Sequence, residues 1–483
     1  MEIHWIDLAI FIVYLFSMLG IGFFFYHKNE SKEDYYVGKR EMSAGHIGLS
    51  VVATDVGGGF SIGLGGLGFI MGISGSWMLF TGIIGAWLSV VFLIPKVYHH
   101  GRNHNFLSFP QVLEHYYDKR PAFIAGVISF IGYIGFTSSQ VLAGAKLASA
   151  TFQTITVTEA VLIIGIIAIV YTVAGGLKAV VYTDTVQWII LMSGLIFIGI
   201  PFGYLHLGGW AGIANYLPPH FFSLTNISLV QVINWMVTIV PIWFIGMTLY
   251  QRIYACRDER TAKKAWLIAG LFEWPVMAFL GTLLGLFGRI ALEQGLLAGM
   301  GYHSVADIDS EIALPVFLRH ILPVGLMGLV MSAYFSAIMS TADSCLMAAS
   351  GNLMTDIIRP FHHKLGDSIR ASQLFTLIIG VLAILIALQM QQVLEIMLYS
   401  YAFMVSGIFV PVLMLLINQK HSALAAILSM IAGGVTTLAL ILTGINLPLG
   451  LDPIVFGIAA SLLVFQVAAF MDKRFQIRKA STQ

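Results

Sequence analysis

A carboxylate followed almost at once by three glycines has the clearest chemical potential in this sequence. Asp55 precedes Val56-Gly57-Gly58-Gly59 inside a long apolar stretch. Consecutive glycines favour local unwinding, since each costs about 1 kcal/mol relative to alanine in a helix interior. In a bilayer, freed backbone groups are tolerated only where they line a cavity or an ion site. The run predicts a broken helix that binds a cation or a solute; close helix packing is the alternative role of the glycines.

A stripe of hydroxyl and carboxyl side chains is the second such feature. Ser336, Ser340, Asp343 and Ser344 recur at a spacing that places them on one helix face, and Thr341 lies beside them. Sodium is a hard cation that binds hydroxyl, carbonyl and carboxylate oxygens, and this face offers all three. The alternative is that these hydroxyls bond to carbonyls of their own helix and promote packing. The acid in the stripe favours cation binding.

Three further acids lie in or at the edge of apolar segments. Asp184 is a candidate ion ligand, or else an interfacial acid that extends towards the cytoplasm near Lys178. Glu273 precedes Trp274-Pro275, and we expect a structural role there because nothing polar is near it in sequence. Glu395 opens its segment and could be interfacial, so its role stays open.

Patterns typical of enzymes are absent from the sequence. It has no HExxH, no Gly-x-Ser-x-Gly, no P-loop and no Cys/His cluster at metal-ligand spacing. We therefore expect no enzyme, and any transport would draw on an ion gradient. Two cysteines cannot form a disulfide framework. For the histidines that gather in predicted cytoplasmic loops, metal binding is the less favoured role; they are His99, His100, His104, His115, His362 and His363.

Composition indicates a polytopic membrane protein. Hydrophobic residues make up 58% of the chain and charged residues only 10%, with a mean hydropathy of +0.87. Such a chain cannot meet water on all sides, and it has no basic, aromatic-rich patch for nucleic acid. Thirteen segments are long enough to cross a bilayer; they lie at 5–26, 43–70, 72–95, 121–152, 157–175, 177–204, 228–252, 264–289, 312–350, 371–390, 391–417, 422–444 and 451–471.

The basic residues predict an orientation in the cell membrane. With the N-terminus outside, all but three of the 25 lysines and arginines fall in cytoplasmic loops or the C-terminal tail; the exceptions are Lys146, Arg289 and Arg319. We therefore predict an outside N-terminus, a cytoplasmic C-terminus and an odd number of helices. The first segment is too long for a signal-peptide core, so we expect it to be retained as a helix.

At these residues the sequence resembles the sodium:solute symporter family, over nearly the whole chain. Three motifs carry the resemblance in the family's order: Ala53-Thr54-Asp55-Val56 with the glycines, Gly175-Gly176-Leu177-Lys178-Ala179 with Thr183-Asp184-Thr185-Val186-Gln187, and Met339-Ser340-Thr341-Ala342-Asp343-Ser344 with Thr355-Asp356. The resemblance implies an all-α leucine-transporter-type fold with two five-helix inverted repeats. We assign an extra helix and loop to 1–42, the repeats to 43–204 and 228–417, two peripheral helices to 422–471 and a cytoplasmic tail to 472–483.

The resemblance also implies a sodium site. Carried over position by position, it would use the backbone carbonyls of Ala53, Val56 and Ala337 and the hydroxyls of Ser340 and Thr341. Asp55 matches the sodium-linked acid of the proline permeases. Asp184 matches an acid that helps form a second sodium site in the sialic acid branch, together with polar residues of the eighth core helix. Here Asp343, next to Ser344, stands where that branch has a hydroxyl, so the number of sodium ions stays open.

The solute pocket should be lined by core helices one, three, six and ten. Its candidates are Asp55, Gly58, Phe60, Phe136, Gln140, Trp243, Met247, Tyr399 and Tyr401. An acid beside aromatic rings suits a cationic nitrogen, so we expect sodium-coupled uptake of an amino acid or related amine by a monomeric transporter. The alternatives are a sodium-coupled monocarboxylate or sugar-acid symporter and, more remotely, a sensor or channel without coupled uptake. The branch resembles both proline permeases and high-affinity choline transporters, and the particular solute is not fixed.

Overall fold

The chain is built almost entirely of helices. A computed structural model describes residues 4–26, 32–152, 155–417 and 422–481. Within these ranges there is no β-strand, and Met42 and Cys256 form an isolated β-bridge. The α-helices are α1 Trp5–Tyr26, α2 Lys32–Val37, α3 Ala44–Met71, α4 Trp77–Phe92, α5 Ile94–Asn103, α6 Pro110–Tyr116, α7 Lys119–Thr151, α8 Val157–Gly194, α9 Ile200–His206, α10 Gly209–Ala214, α11 Leu229–Ile245, α12 Met247–Ala255, α13 Glu259–Leu271, α14 Ala278–Glu293, α15 Ser310–Ile321, α16 Leu326–Asn352, α17 His363–Gly366, α18 Ile369–Ala387, α19 Val393–Ile417, α20 Ala423–Thr443 and α21 Pro453–Ser481.

Shorter helical segments join or extend these helices. The π-helical segments are Leu195–Gly199, Phe272–Met277 and Leu353–Ile358. The 3₁₀ segments are Gly38–Arg40, Gly72–Ser76, Pro219–Phe222, Ala298–Met300, Val305–Asp307 and Pro448–Gly450.

The helices are long and apolar enough for a multi-pass membrane protein. In the described ranges, nine helices are long and apolar enough to cross a bilayer when helices that continue into one another are counted together. The number is ten if α11 and α12 form one bent span. Each of the thirteen predicted segments lies mainly on helix. The all-α prediction is confirmed, whereas the count of thirteen spans stays a prediction.

Three helical segments are interrupted at glycines. Gly57 (φ 31°, ψ −166°) breaks α3, and Gly176 (φ 66°, ψ 178°) breaks α8 where two predicted segments meet. Gly246 separates α11 from α12, whose axes differ by 42°. The glycine run therefore unwinds the helix as predicted.

Helix α16 lies at the centre of the bundle. It packs against α1, α3, α7 and α8, and 94% of its most apolar stretch is buried, compared with 28% for α21. Helix α21 packs mainly on α20 and α19 at the periphery. Because the hydroxyl and acid side chains of α16 are buried, they meet other helices and not lipid.

The predicted segment 312–350 is wrong as a single helix. It consists of α15 and α16, separated by a turn in which Pro323 precedes Gly325 (φ 88°). Proline and a glycine at positive φ end helices, so this break was readable from the sequence. Helix α15 packs across α3, α14 and α7. A carboxylate from α1 holds the start of α16, because Asp7 Oδ1 accepts from the N–H groups of Gly325 (2.8 Å) and Gly328 (2.7 Å).

Candidate ion and solute site

The break in α3 lies directly against α16. A Cβ atom at Gly57 would lie 2.4 Å from Thr341 Oγ1, so only glycine permits this approach. The Thr341 hydroxyl donates to the carbonyl of Ala53 (3.0 Å) across the interface and to that of Ala337 (3.3 Å) in its own helix. Three of the oxygen ligands implied by the family resemblance therefore lie together at this contact.

Asp184 is buried beside the same contact. Its carboxylate has no exposed surface, accepts from the hydroxyls of Ser340 and Ser50, and forms an ion pair with Arg252 (3.3 Å). An interfacial acid extending to the cytoplasm would be exposed, so that alternative is wrong.

Arg252 is the residue that sequence reasoning misplaced. The charge pattern places Arg252 in a cytoplasmic loop, but α12 continues to Ala255 and the guanidinium is fully buried. Besides Asp184, the guanidinium donates to Ser50 (3.0 Å), Thr54 (2.5 Å), Ser344 (2.8 Å) and the carbonyl of Thr248 (3.2 Å). Such a buried arginine requires an acid, but no spacing rule links residues 68 positions apart.

The rest of the α16 stripe faces three different helices. Ser344 lies 3.1 Å from the hydroxyl of Thr54 on α3. Asp343 accepts from Thr172 on α8, and Ser336 donates to Tyr14 on α1 (2.8 Å). The stripe therefore joins α16 to its neighbours through polar contacts along its length.

These contacts divide the polar groups into two parts. The first is an uncharged oxygen cluster, formed by the Ala53 and Ala337 carbonyls and the Thr341 hydroxyl, which suits a hard monovalent cation. The Ser340 hydroxyl, next in the chain to Thr341, donates to Asp184. The second is the Asp184–Arg252 pair, whose charges offset one another. The Ser344 and Asp184 side chains both accept hydrogen bonds from Arg252, so the cation that they bind in this structure is its guanidinium.

Comparison with known proteins decides the family. The sequence model of the sodium:solute symporter family matches residues 35–433. The chain belongs to that family.

Relatives of this symporter are similar over almost its full length. A protein of Bacillus subtilis, the osmoregulated proline transporter OpuE, is 26% identical over 96% of this chain and 94% of its own. The sodium/proline symporter of Escherichia coli is 26% identical over 97% and 95%. The solved structure of a Na⁺-coupled sialic acid symporter in a substrate-bound outward-open state superposes with a TM-score of 0.78 at 20% identity, covering 96% of this chain and 98% of that one. This likeness confirms the leucine-transporter-type fold with broken helices.

Several predicted pocket residues lie close to the α3 break. The N–H of Gly58 donates to Gln140 Oε1 on α7 (2.8 Å). The rings of Phe136 and Tyr401 pack edge to face, with centroids 4.9 Å apart. Gly58 lies on α3, Gln140 and Phe136 lie on α7, and Tyr401 lies on α19. These contacts therefore bring together α3, α7 and α19, which are core helices one, three and ten of the predicted repeats.

Trp243 and Met247 flank the Gly246 hinge between α11 and α12, and both are buried. Met247 Sδ accepts from the N–H of Phe109 (3.4 Å). The indole N–H of Trp243 has no hydrogen-bond partner in the part of the chain that the structure describes.

Two of the predicted pocket residues do not join this group. Tyr399 is 40% exposed, donates to Glu395 (2.7 Å), and lines a separate cavity of about 650 Å³ together with Leu67, Glu311 and Leu447. The side chain of Phe60, and that of Val56, lie outside the described residues.

An ion-pair cluster borders this separate cavity. Lys146 on α7 binds Asp309 (2.5 Å) and Glu311 (2.7 Å). Glu311 in turn accepts from the N–H groups of Val393 (3.0 Å) and Leu394 (2.9 Å) at the start of α19. One carboxylate thus ties α15 to α7 and α19.

Glu273 has a polar neighbour in space that its sequence context does not reveal. Its carboxyl group, fully buried in the π-helical segment 272–277, faces that of Asp55 on α3. Sequence reasoning missed this contact because the two acids are far apart in the chain and belong to different helices.

Proposed function

We propose that this symporter imports a small organic solute together with sodium by alternating access, and that the solute is an amino acid or a related amine. The observation that carries the proposal is the uncharged oxygen cluster between the α3 break and α16. Relatives named as a proline transporter and a sodium/proline symporter support an amino acid solute.

The geometry suggests how ion and solute would be linked. Sodium at Ala53, Val56, Ala337, Ser340 and Thr341 would order the unwound backbone from one side. The solute would contact the same backbone from the other side, near Gly58, which Gln140 already holds. Each ligand would then favour the backbone arrangement that the other needs, giving a reciprocal coupling of about 1–3 kcal/mol.

Symport of a monocarboxylate or sugar acid has less support. An anionic solute needs a basic group or a helix N-terminus at its site. Lys146 is paired with Asp309 and Glu311, and Arg252 is paired with Asp184. Neither cation is left to bind a carboxylate. A sensor or channel role has no observation in its favour.

The helix breaks support the assignment of the inverted repeats. We assign the inverted repeats to 43–204 and 228–417, because the first long helix of each, α3 and α11–α12, is broken near its middle. We also assign an outside N-terminus, a cytoplasmic C-terminus and a monomeric transport unit.

Uptake by the purified protein in liposomes tests the proposal. A thermal-shift screen of amino acids and amines, with sodium or potassium, would first identify solutes that raise the melting temperature, because a ligand that binds the native state stabilises it. An inward sodium gradient should then drive accumulation of such a solute, and an equal potassium gradient should not. Accumulation that is equal in both gradients would contradict sodium coupling.

A further inference from the structure

Three histidine side chains meet between α5 and α6, in a predicted cytoplasmic loop. His100 lies in the last turn of α5 and His104 directly follows that helix, where its N–H donates to the carbonyl of His100 (3.0 Å). A spacing of four residues at a helix end places both rings on one face. His115 on α6 faces them, and its ring centroid is 4.8 Å from each of theirs.

The nitrogen atoms of these rings are close together and have no protein partner. One nitrogen from each ring can be chosen so that all three lie within 4.8 Å of one another. In the part of the chain that the structure describes, none of the three rings forms a hydrogen bond or an ion pair, whereas the neighbouring His99 pairs with Glu259 (2.7 Å). Burial and the neighbouring imidazoles lower the pKa of His100, which favours the neutral form of its ring.

Three neutral imidazoles are ligands for a transition metal. Imidazole nitrogens suit Zn²⁺ and its neighbours in the first transition row, whereas Ca²⁺ and Mg²⁺ prefer oxygen ligands. In a tetrahedral zinc centre with bonds of about 2.0–2.1 Å, the ligand nitrogens lie roughly 3.3–3.4 Å apart. His104 and His115 are exposed and His100 is half-buried, so small side-chain rotations can close the remaining distance.

The position of the three rings gives a bound ion a consequence for transport. The segment formed by α5 and α6 joins α4 to α7, and these two helices pack in different surroundings. Helix α4 packs on α11 and α13, whereas α7 packs on α8, α16 and α19. Alternating access moves one group of helices against another. The joint between α5 and α6 therefore has to adjust as α4 and α7 move relative to each other.

We propose that His100, His104 and His115 bind a divalent transition metal of Zn²⁺ type, and that the bound ion slows transport by fixing α5 to α6. The site is independent of the proposed function, but its effect on transport rests on that function. The spacing of these histidines along the chain does not reveal the site, because only the fold brings His115 to α5.

Calorimetric titration of the untagged full-length protein with Zn²⁺, without sodium or solute, tests the site. Wild type should bind one ion per chain, and His115→Ala should bind it at least about ten-fold more weakly. His363→Ala, at an exposed histidine of α17, is the matched control and should resemble wild type. His104→Ala, at another exposed position, gives the same test if His115→Ala fails to fold. Equal Zn²⁺ affinity in wild type and the variants at the site would overturn the proposal.

Uptake in liposomes tests the effect of the ion on transport. At a fixed sodium gradient, Zn²⁺ on both sides of the membrane should lower the uptake rate of wild type, and a membrane-permeant chelator should restore it. His115→Ala should keep its uptake rate at the same Zn²⁺ concentration, and His363→Ala should lose it as wild type does. Zn²⁺ bound to wild type without any fall in uptake would overturn the effect on transport. Zn²⁺ binding as expected, without sodium-driven uptake under any condition, would instead contradict the proposed function alone.

Discussion

At the scale of single residues, Gly57 allows the ion site to exist. Gly57→Ala would place a Cβ atom 2.4 Å from Thr341 Oγ1 at a positive φ, so α3 and α16 would have to separate. We expect a loss of about 1–3 kcal/mol in stability and a clear rise in the sodium concentration for half-maximal uptake. Gly45→Ala on the same helix meets nothing within 4 Å and is the control. Equal sodium dependence in both variants would contradict the assigned contact.

Asp184 is predicted to act through Arg252. Asp184→Asn leaves a buried guanidinium without its acid, which we expect to cost about 3–5 kcal/mol, measured as a lower unfolding midpoint in detergent. The double variant Asp184→Asn/Arg252→Gln should recover part of this loss. Asp258→Asn, in an exposed pair with Arg257, should change little. A midpoint unaffected by Asp184→Asn would show that the pair does not stabilise the bundle.

The sequence predicts features that depend on neighbouring residues better than features that depend on contacts between distant helices. The unwinding at Gly57 and the hydroxyl face of α16 follow from composition and helical spacing. The position of Arg252, by contrast, follows from contacts with α3, α8 and α16. The Asp55–Glu273 contact likewise depends on how α3 meets the π-helical segment, which no local rule specifies.

At the scale of helices, the N-terminus of α16 depends on α1. Asp7→Ala removes the oxygen that accepts from two N–H groups at this terminus, and we expect about 1–2 kcal/mol of lost stability. Asp7→Asn retains an acceptor oxygen and should lose less. Unfolding midpoints of the two variants and wild type would measure this. Identical midpoints would show that α16 needs no cap from α1.

The helix boundaries show what hydropathy alone cannot resolve. Segment 312–350 has a high average hydropathy, so a criterion of length and hydropathy merges α15 with α16. The dihedral break at Gly325 and the proline before it separate them. Pro323 and Gly325 therefore mark a helix boundary that the average hydropathy of the segment does not show.

At the scale of the whole molecule, the loop charges predict its orientation. A reporter fused to the C-terminus should be cytoplasmic, and a tag at the N-terminus should be accessible from outside the cell. The burial of Arg252 removes one of the charges counted, but the other cytoplasmic loops remain basic. Termini found on the same side of the membrane would contradict an odd number of spans.

The central claim is that α3 and α16 together form the sodium site that drives uptake. It is tested most directly by the sodium concentration that gives half-maximal uptake, for wild type, Thr341→Ser and Ser340→Ala/Thr341→Ala in liposomes. Thr341→Ser keeps the hydroxyl and should resemble wild type. The alanine pair loses two ligands and should need at least about ten-fold more sodium, equivalent to ~1.4 kcal/mol. The same sodium dependence in all three proteins would place the coupling site elsewhere and leave the hydroxyls of α16 with packing alone.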